Sequence, residues 1–388
     1  MSALRVLLLL APPLAALSPS SLGVGIPLVC LGLLPTPTVR PHLGRAMLAP
    51  ISLLLLASAL LGFLSQLWAL DAALAARKSL KFALVTLPPT WLALALTPND
   101  REQQMAAARA LTFGLAIAAV LLAWQTFGDV VLRDALLGHR TAIPGNKTNV
   151  PAAQLAILVW LLPAMLAPLG KPIQRAGVAV VVLVGVTVLA GAGLAPGLAF
   201  TVGGATFGLA HRWPRLVAAA LLVGVLALQG LAPRLMAIEQ QAGLVADVST
   251  RHRMDLWALA GEHIAKRPWL GYGLSNSDRI PELPGTMPLS GQRRVFPLYP
   301  HNVLMQVQLE LGVPGMLLFY AILVELLRRC LAAPAPARAS GLALIAATLS
   351  VWCVGYPLWR SAWLAWLLFC ALAFSFTLAK SSAASHEP

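Results

Sequence analysis

The stretch HNVLMQVQLELGVPG, residues 301–315, stands at the one sharp boundary in this chain. Before it lies the only long polar segment, residues 232–300; after it an apolar run begins at once. The boundary sets a histidine, His301, where a water-exposed loop meets the head of a membrane helix. Imidazole is the side chain whose ordinary pKa suits general-base work near neutral pH. A helix N-terminus carries partial positive charge, which favours the neutral, proton-accepting ring. The alternative is a helix-capping or interface histidine with no chemistry.

Outward from this boundary the chain is apolar in both directions. Of 388 residues 59% are hydrophobic and 11% charged, which leaves too little polar surface to cover a water-soluble domain of that size. Strand-like alternation is absent, which argues against a barrel. The expected fold class is therefore an all-α polytopic integral membrane protein. Twelve spans are expected near 3–18, 21–36, 47–70, 80–97, 106–127, 151–169, 175–192, 194–210, 214–231, 301–327, 339–357 and 361–379. The first begins like a signal peptide after Arg5, but a second apolar run follows almost at once, so the pair is expected to stay as a hairpin. The resulting organisation is 1–231, nine spans with short loops; 232–300, a large extracytoplasmic loop containing helices; and 301–388, three spans and a short cytoplasmic tail.

Lysine and arginine set the orientation. With both termini in the cytoplasm, 13 of the 28 Lys and Arg lie inside, and 8 of the 15 outside fall in the long loop, where the rule has little force. The formal net charge of +14 is divided between these inner anchors and a basic outer face, and does not point to nucleic acid. The outer cations either anchor anionic lipid or bind phosphate, for which the arginine fork is well shaped. Cys30, Cys330, Cys353 and Cys370 all lie in or at the ends of spans and read as buried small hydrophobes. There is no phosphate-binding Walker loop, no HExxH, no GxSxG and no Asp-x-Asp in an outer loop, so neither a metal nor another cofactor is expected.

The long loop holds one clear helix, in VSTRHRMDLWALAGEHIAKRPWLGYG (248–273), with Ser249 and Thr250 as expected caps and Pro268 as its stop. Arg253 and Trp257 are four apart, a spacing that allows guanidinium to stack on indole. Met254, Trp257 and Ile264 form a stripe that suits a membrane surface. Glu310, inside the tenth span, reads as a helix-packing residue.

These residues resemble the O-antigen ligase family, in the superfamily shared with O-antigen polymerases and pilin O-oligosaccharyltransferases. His301-Asn302, nine residues, Gly312, two residues, Gly315 fits that family's His-Asn-x9-Gly-x-x-Gly pattern. Arg253, Trp257, Pro268 and Gly271-Tyr272-Gly273 fit its arginine-to-tryptophan spacing and the glycine turn that follows. Arg140 followed by Gly145, Asn146 and Asn149 is a third, weaker match. One departure is the start of the eighth span, where relatives carry Ser-Arg-Gly and this chain reads GAGLAPGLAF (191–200).

The resemblance implies a GT-C-like glycosyltransferase architecture in a bacterial inner membrane, with the active site facing the periplasm. It implies transfer of O-antigen polysaccharide from undecaprenyl pyrophosphate to a sugar hydroxyl of the lipid A core. His301 would be the general base, and Arg253, Arg140, Lys81 and Arg360 would hold the donor pyrophosphate without a metal. Asn302, Gly312, Gly315, Trp257, Gly271 and Gly273 would be structural parts of the motif. The competing readings are an O-antigen polymerase, a protein O-oligosaccharyltransferase and a lipid-linked glycan transporter.

Overall fold

The computed structural model describes residues 2–96, 101–128, 148–191, 193–242, 248–280 and 300–378. Among these residues the regular structure is entirely helical. The first third comprises α1 (Ser2–Leu17), α2 (Leu22–Leu33), α3 (Arg40–Met47), α4 (Pro50–Leu64), α5 (Ala72–Ala95) and α6 (Arg101–Phe127). The middle comprises α7 (Asn149–Leu158), α8 (Leu162–Leu166), α9 (Lys171–Gly191), α10 (Leu194–Arg212), α11 (Pro214–Ala242) and α12 (Val248–Lys266). The chain closes with α13 (Val303–Ala332), α14 (Ala335–Val354) and α15 (Ser361–Ser375).

Leucine and alanine runs propagate these helices, and capping residues move several ends away from the hydropathy edges. Asp71 accepts a hydrogen bond from the Leu74 amide at 2.9 Å and starts α5 well before the expected span at 80. Lys81 therefore lies inside a helix rather than at its head. The helix begun at Pro214 runs on to Ala242 instead of ending near 231. Ser249 and Thr250 lie inside α12, which begins at Val248, so they are not its caps.

Among the described residues six stretches are long and apolar enough to cross a membrane: Pro50–Leu67, Glu102–Phe127, Asn149–Leu166, Lys171–Gly191, Val303–Ala332 and Ala335–Val354. Four shorter apolar stretches are Ser2–Leu17, Pro19–Leu33, Pro214–Gly230 and Ser361–Ser375. Helices α5 and α10, at the expected spans 80–97 and 194–210, fall in neither group. Leu10, Leu28, Leu60, Val182, Leu216 and Val223 are all exposed on helix surfaces. Such an outer surface suits hydrocarbon rather than water.

Packing pairs α1 with α6 and α10 with α14, while α15 lies against α2 and α5, and α13 against α4 and α14. Helix α7 is buried along nearly its whole length, with Ala152, Ala153 and Ala156 letting neighbouring backbones approach. Between α4, α5, α13, α14 and α15 lies a largely apolar cavity of about 660 Å³. Trp359 and Gly315 border it, and Arg328 and Arg329 also line it.

Candidate active site

Helix α13 is broken at Gly312, whose φ of 59° and ψ of −152° no side-chain-bearing residue adopts comfortably. Pro314 has no N–H, so it cannot return the helical bond to Glu310. Two carbonyls of α13 are thereby freed, and the preceding loop takes both. The Tyr272 amide donates to the Leu309 carbonyl at 3.0 Å and the Gly273 amide to the Glu310 carbonyl at 2.8 Å. In return the Val313 amide donates to the carbonyls of Pro268 and Trp269 at 3.2 and 3.1 Å. Irregular backbone inside an apolar span is tolerated because these groups are satisfied by protein.

The exchange explains the motif glycines. Gly271 has φ of +66°, and a Cβ there would sit 2.6 Å from the Leu309 carbonyl oxygen. A Cβ on Gly312 would sit 2.2 Å from the carbonyl oxygen of Trp269. Gly273 abuts Ala69, and Gly315 packs over Leu311 and Val307. The loop is clamped on its other side by the turn before α5. Trp68 Nε1–H donates to the Leu270 carbonyl at 2.9 Å, the Leu274 amide to Ser65 Oγ at 3.0 Å, and the Asp71 amide to Asn276 Oδ1 at 2.6 Å.

At the head of α13 the two candidate polar residues divide the work. Asn302 caps the helix, its Oδ1 accepting from the amides of Leu304 and Met305 at 3.0 and 3.3 Å. Asn302→Ala is expected to cost about 1 kcal/mol, read as a lowered unfolding midpoint in detergent. An unmoved midpoint would show that the cap is dispensable. His301 is thus not the capping residue. It holds a left-handed backbone, φ +55°, and its Nδ1 lies 2.9 Å from the carbonyl oxygen of Gly355. A carbonyl can only accept, so in the neutral ring the proton sits on Nδ1, and Nε2 is the nitrogen able to take another.

Gly355 belongs to a turn, residues 355–360, between α14 and α15, and α13 holds that turn from below. The Leu358 amide donates to Gln306 Oε1 at 3.1 Å, and Trp359 Nε1–H donates to Glu310 Oε2. Gln306 Nε2 donates to Glu310 Oε1 at 3.2 Å. From the loop, the Ser275 amide reaches Glu310 Oε2 at 2.5 Å, and the Ser277 side chain also hydrogen-bonds this carboxylate. Glu310 is fully buried and joins three segments, which is more than the helix-packing role expected of it.

Trp257 does not stack with Arg253: the cation–π contacts among the described residues are Arg212 on Trp213 and Arg267 on Tyr272. Its indole N–H instead donates to the Pro300 carbonyl at 2.8 Å, which brings α12 beside His301. Trp257 and Ile264 pack on a small core of Leu259, Ala260, Tyr272, Ile280, Met305 and Leu309, so this face of α12 covers protein rather than a membrane surface. His263 is buried edge-on against Tyr272. Burial, then Lys266, holds its pKa below the usual histidine value against the opposing pull of Glu262, which fits a neutral packing residue.

Arg253, half-buried, is one turn before Trp257 and shares its helix face. Arg360 is exposed at the end of the turn that holds His301. Lys81 is exposed on α5 next to Phe82, whose ring meets Trp359 edge to face at 5.7 Å. Arg140 lies outside the described residues. Among the described residues no group of three His, Cys, Asp or Glu is arranged to hold a metal.

Residues 178–320 match the family model described as O-Antigen ligase. That interval contains His301, Asn302, Gly312 and Gly315, and also Arg253, Trp257, Gly271 and Gly273; Lys81, Arg140 and Arg360 lie outside it. The chain is 27% identical over 228 residues to a Rickettsia conorii protein named "Putative polysaccharide ligase", covering 57% of this chain and 54% of the relative. A Rickettsia felis protein of the same name is 29% identical over 184 residues, 46% of this chain and 45% of the relative. A Rickettsia prowazekii relative is 30% identical over 183 residues, 45% of each. The chain thus spans about half the length of the curated relatives it matches.

Proposed function

We propose, from the match to the O-antigen ligase family over residues 178–320, that this protein transfers a lipid-linked polysaccharide to a hydroxyl acceptor. The donor is O-antigen polysaccharide on undecaprenyl pyrophosphate, and the acceptor a sugar hydroxyl of the lipid A core. The observation that carries the reading is the Nδ1 contact of His301 with Gly355. It leaves Nε2 as the proton-accepting atom at the head of α13, beside the helix that bears Arg253.

In the reaction the acceptor oxygen attacks the anomeric carbon of the donor while the bond from that carbon to pyrophosphate breaks. His301 Nε2 takes the hydroxyl proton. Undecaprenyl pyrophosphate departs with the bonding electron pair, and arginine forks stabilise the growing charge with no metal. Arg253 and Arg140 are the principal candidates, with Lys81 and Arg360 beside them. The apolar cavity bordered by Trp359 is suited to a lipid chain, because its walls are side chains such as Phe82, Leu311, Phe319 and Leu364. The chain would cross the bacterial inner membrane twelve times with both termini in the cytoplasm: nine spans in 1–231, a periplasmic loop over 232–300, and three spans in 301–388. The site would face the periplasm.

The test is an acceptor assay with purified protein, lipid-linked polymer and core lipid, in excess chelator. Polymer joined to core lipid is the expected product. Polymer joined to another lipid-linked glycan would make the protein a polymerase, and a strict need for Mg²⁺ or Mn²⁺ would overturn the metal-free mechanism. Within the same assay Arg253→Lys is expected to lose most activity, because lysine keeps the charge but not the bidentate fork. If Arg253→Lys and Arg140→Lys both transfer like the wild type, these arginines are lipid anchors and not a pyrophosphate clamp.

A further inference from the structure

Four donors converge on Glu310: the Ser275 amide, the Ser277 hydroxyl, the Gln306 amide nitrogen and the Trp359 indole. A carboxylate only accepts, so its two oxygens suit this set. The orientation of Gln306 follows. Its oxygen must face the Leu358 amide, since that group donates, and its nitrogen must then face Glu310. Trp359 is therefore tied to α13 by Glu310 directly, and Leu358 by Gln306, which Glu310 orients. The same turn carries, three residues earlier, the Gly355 carbonyl that meets His301 Nδ1. His301 itself sits in a left-handed conformation that a β-carbon residue keeps only when its surroundings hold it there.

We propose that Glu310, acting through Gln306 and the turn 355–360, is the positioning residue that fixes the His301 ring in its Nδ1–H tautomer. The inference rests on the transfer reading only for its kinetic consequence; its structural content stands apart from that reading. The nearest precedent in kind is the outer partner that orients a metal-binding histidine, whose loss costs 10- to 100-fold. Replacing Glu310 by glutamine sets an NH₂ donor against four donors. Either the Gln306 nitrogen or the Trp359 indole then faces a donor and loses its bond, although the side-chain volume is kept.

The experiment uses the full chain in detergent, with ¹⁵N-labelled histidine and steady-state transfer kinetics. Seven histidines are present, and the His301 resonance is assigned by difference from His301→Ala. In the wild type the ring is expected to be the Nδ1–H tautomer. In Glu310→Gln it is expected to become a tautomer mixture, with kcat lower by roughly 10- to 100-fold and the donor KM within about twofold. An unchanged tautomer in Glu310→Gln overturns the proposal even if activity falls, because the carboxylate would then serve packing alone. Should Glu310→Gln fail to accumulate, Trp359→Phe carries the same test. It deletes one tie and keeps a ring against Phe82, and an unchanged tautomer there is equally fatal. If His301→Ala still transfers, the general-base reading fails, while the tautomer result continues to decide the role of Glu310.

Discussion

His301→Ala is expected to lower the transfer rate by about 10²- to 10⁴-fold, the share that a positioned general base supplies. The substitution removes the imidazole held at the head of α13, while the helix keeps its Asn302 cap. Accumulation in the membrane should therefore survive. The lost Nδ1 contact is worth about 1 kcal/mol, and the strained φ of +55° remains a burden on alanine. His301→Asn sharpens the test. Asparagine tolerates the left-handed region better than most residues, so this variant should be at least as stable as the alanine variant and equally inactive. Near-normal transfer by either stably inserted variant would remove His301 from the chemistry.

Gly312→Ala is expected to have the largest effect on folding. Its φ and ψ lie where alanine is excluded, and the new methyl would lie 2.2 Å from the Trp269 carbonyl oxygen, a backbone atom that cannot swing aside. Relief requires the loop to leave α13, which would strand the carbonyls of Leu309 and Glu310 in an apolar span. A loss of about 4 kcal/mol or more follows, enough to deplete the folded protein in membranes. Gly315→Ala offers the contrast. A Cβ there would lie 2.4 Å from Leu311 Cβ, which is also tight, but its backbone is not left-handed and none of the three nearest atoms belongs to the 268–273 loop, so a smaller loss is expected. Equal abundance of Gly312→Ala and wild type, with the 268–273 segment equally resistant to protease, would show that the two segments do not depend on one another.

Much of this was legible in the order of the letters. Apolar runs located helices, and the His-Asn-x9-Gly-x-x-Gly spacing located the head and the break of α13. What escaped was set by contacts distant in sequence. Trp257 has a cation at four residues' spacing, yet its N–H goes to Pro300, because an indole N–H needs an acceptor and a guanidinium offers none. Glu310 looked like one polar residue on an apolar helix. Its partners Ser275 and Trp359 stand 35 and 49 residues away, and no periodicity announces them. Hydropathy also missed the start of α5, because the Asp71 cap begins the helix while the sequence is still carrying cations.

The traded backbone bonds between 268–273 and 309–313 give the chain a direction in time. A ribosome delivers the loop first. When the helix beginning at Val303 is made, the amides of Tyr272 and Gly273 have already been synthesised, and the two carbonyls freed by Gly312 and Pro314 find their partners at hand. With the order of the two segments reversed, the span would have to wait in lipid with its carbonyls unmet, at several kcal/mol each. The linear order of loop before helix is thus part of how the site is made, as well as of where it stands.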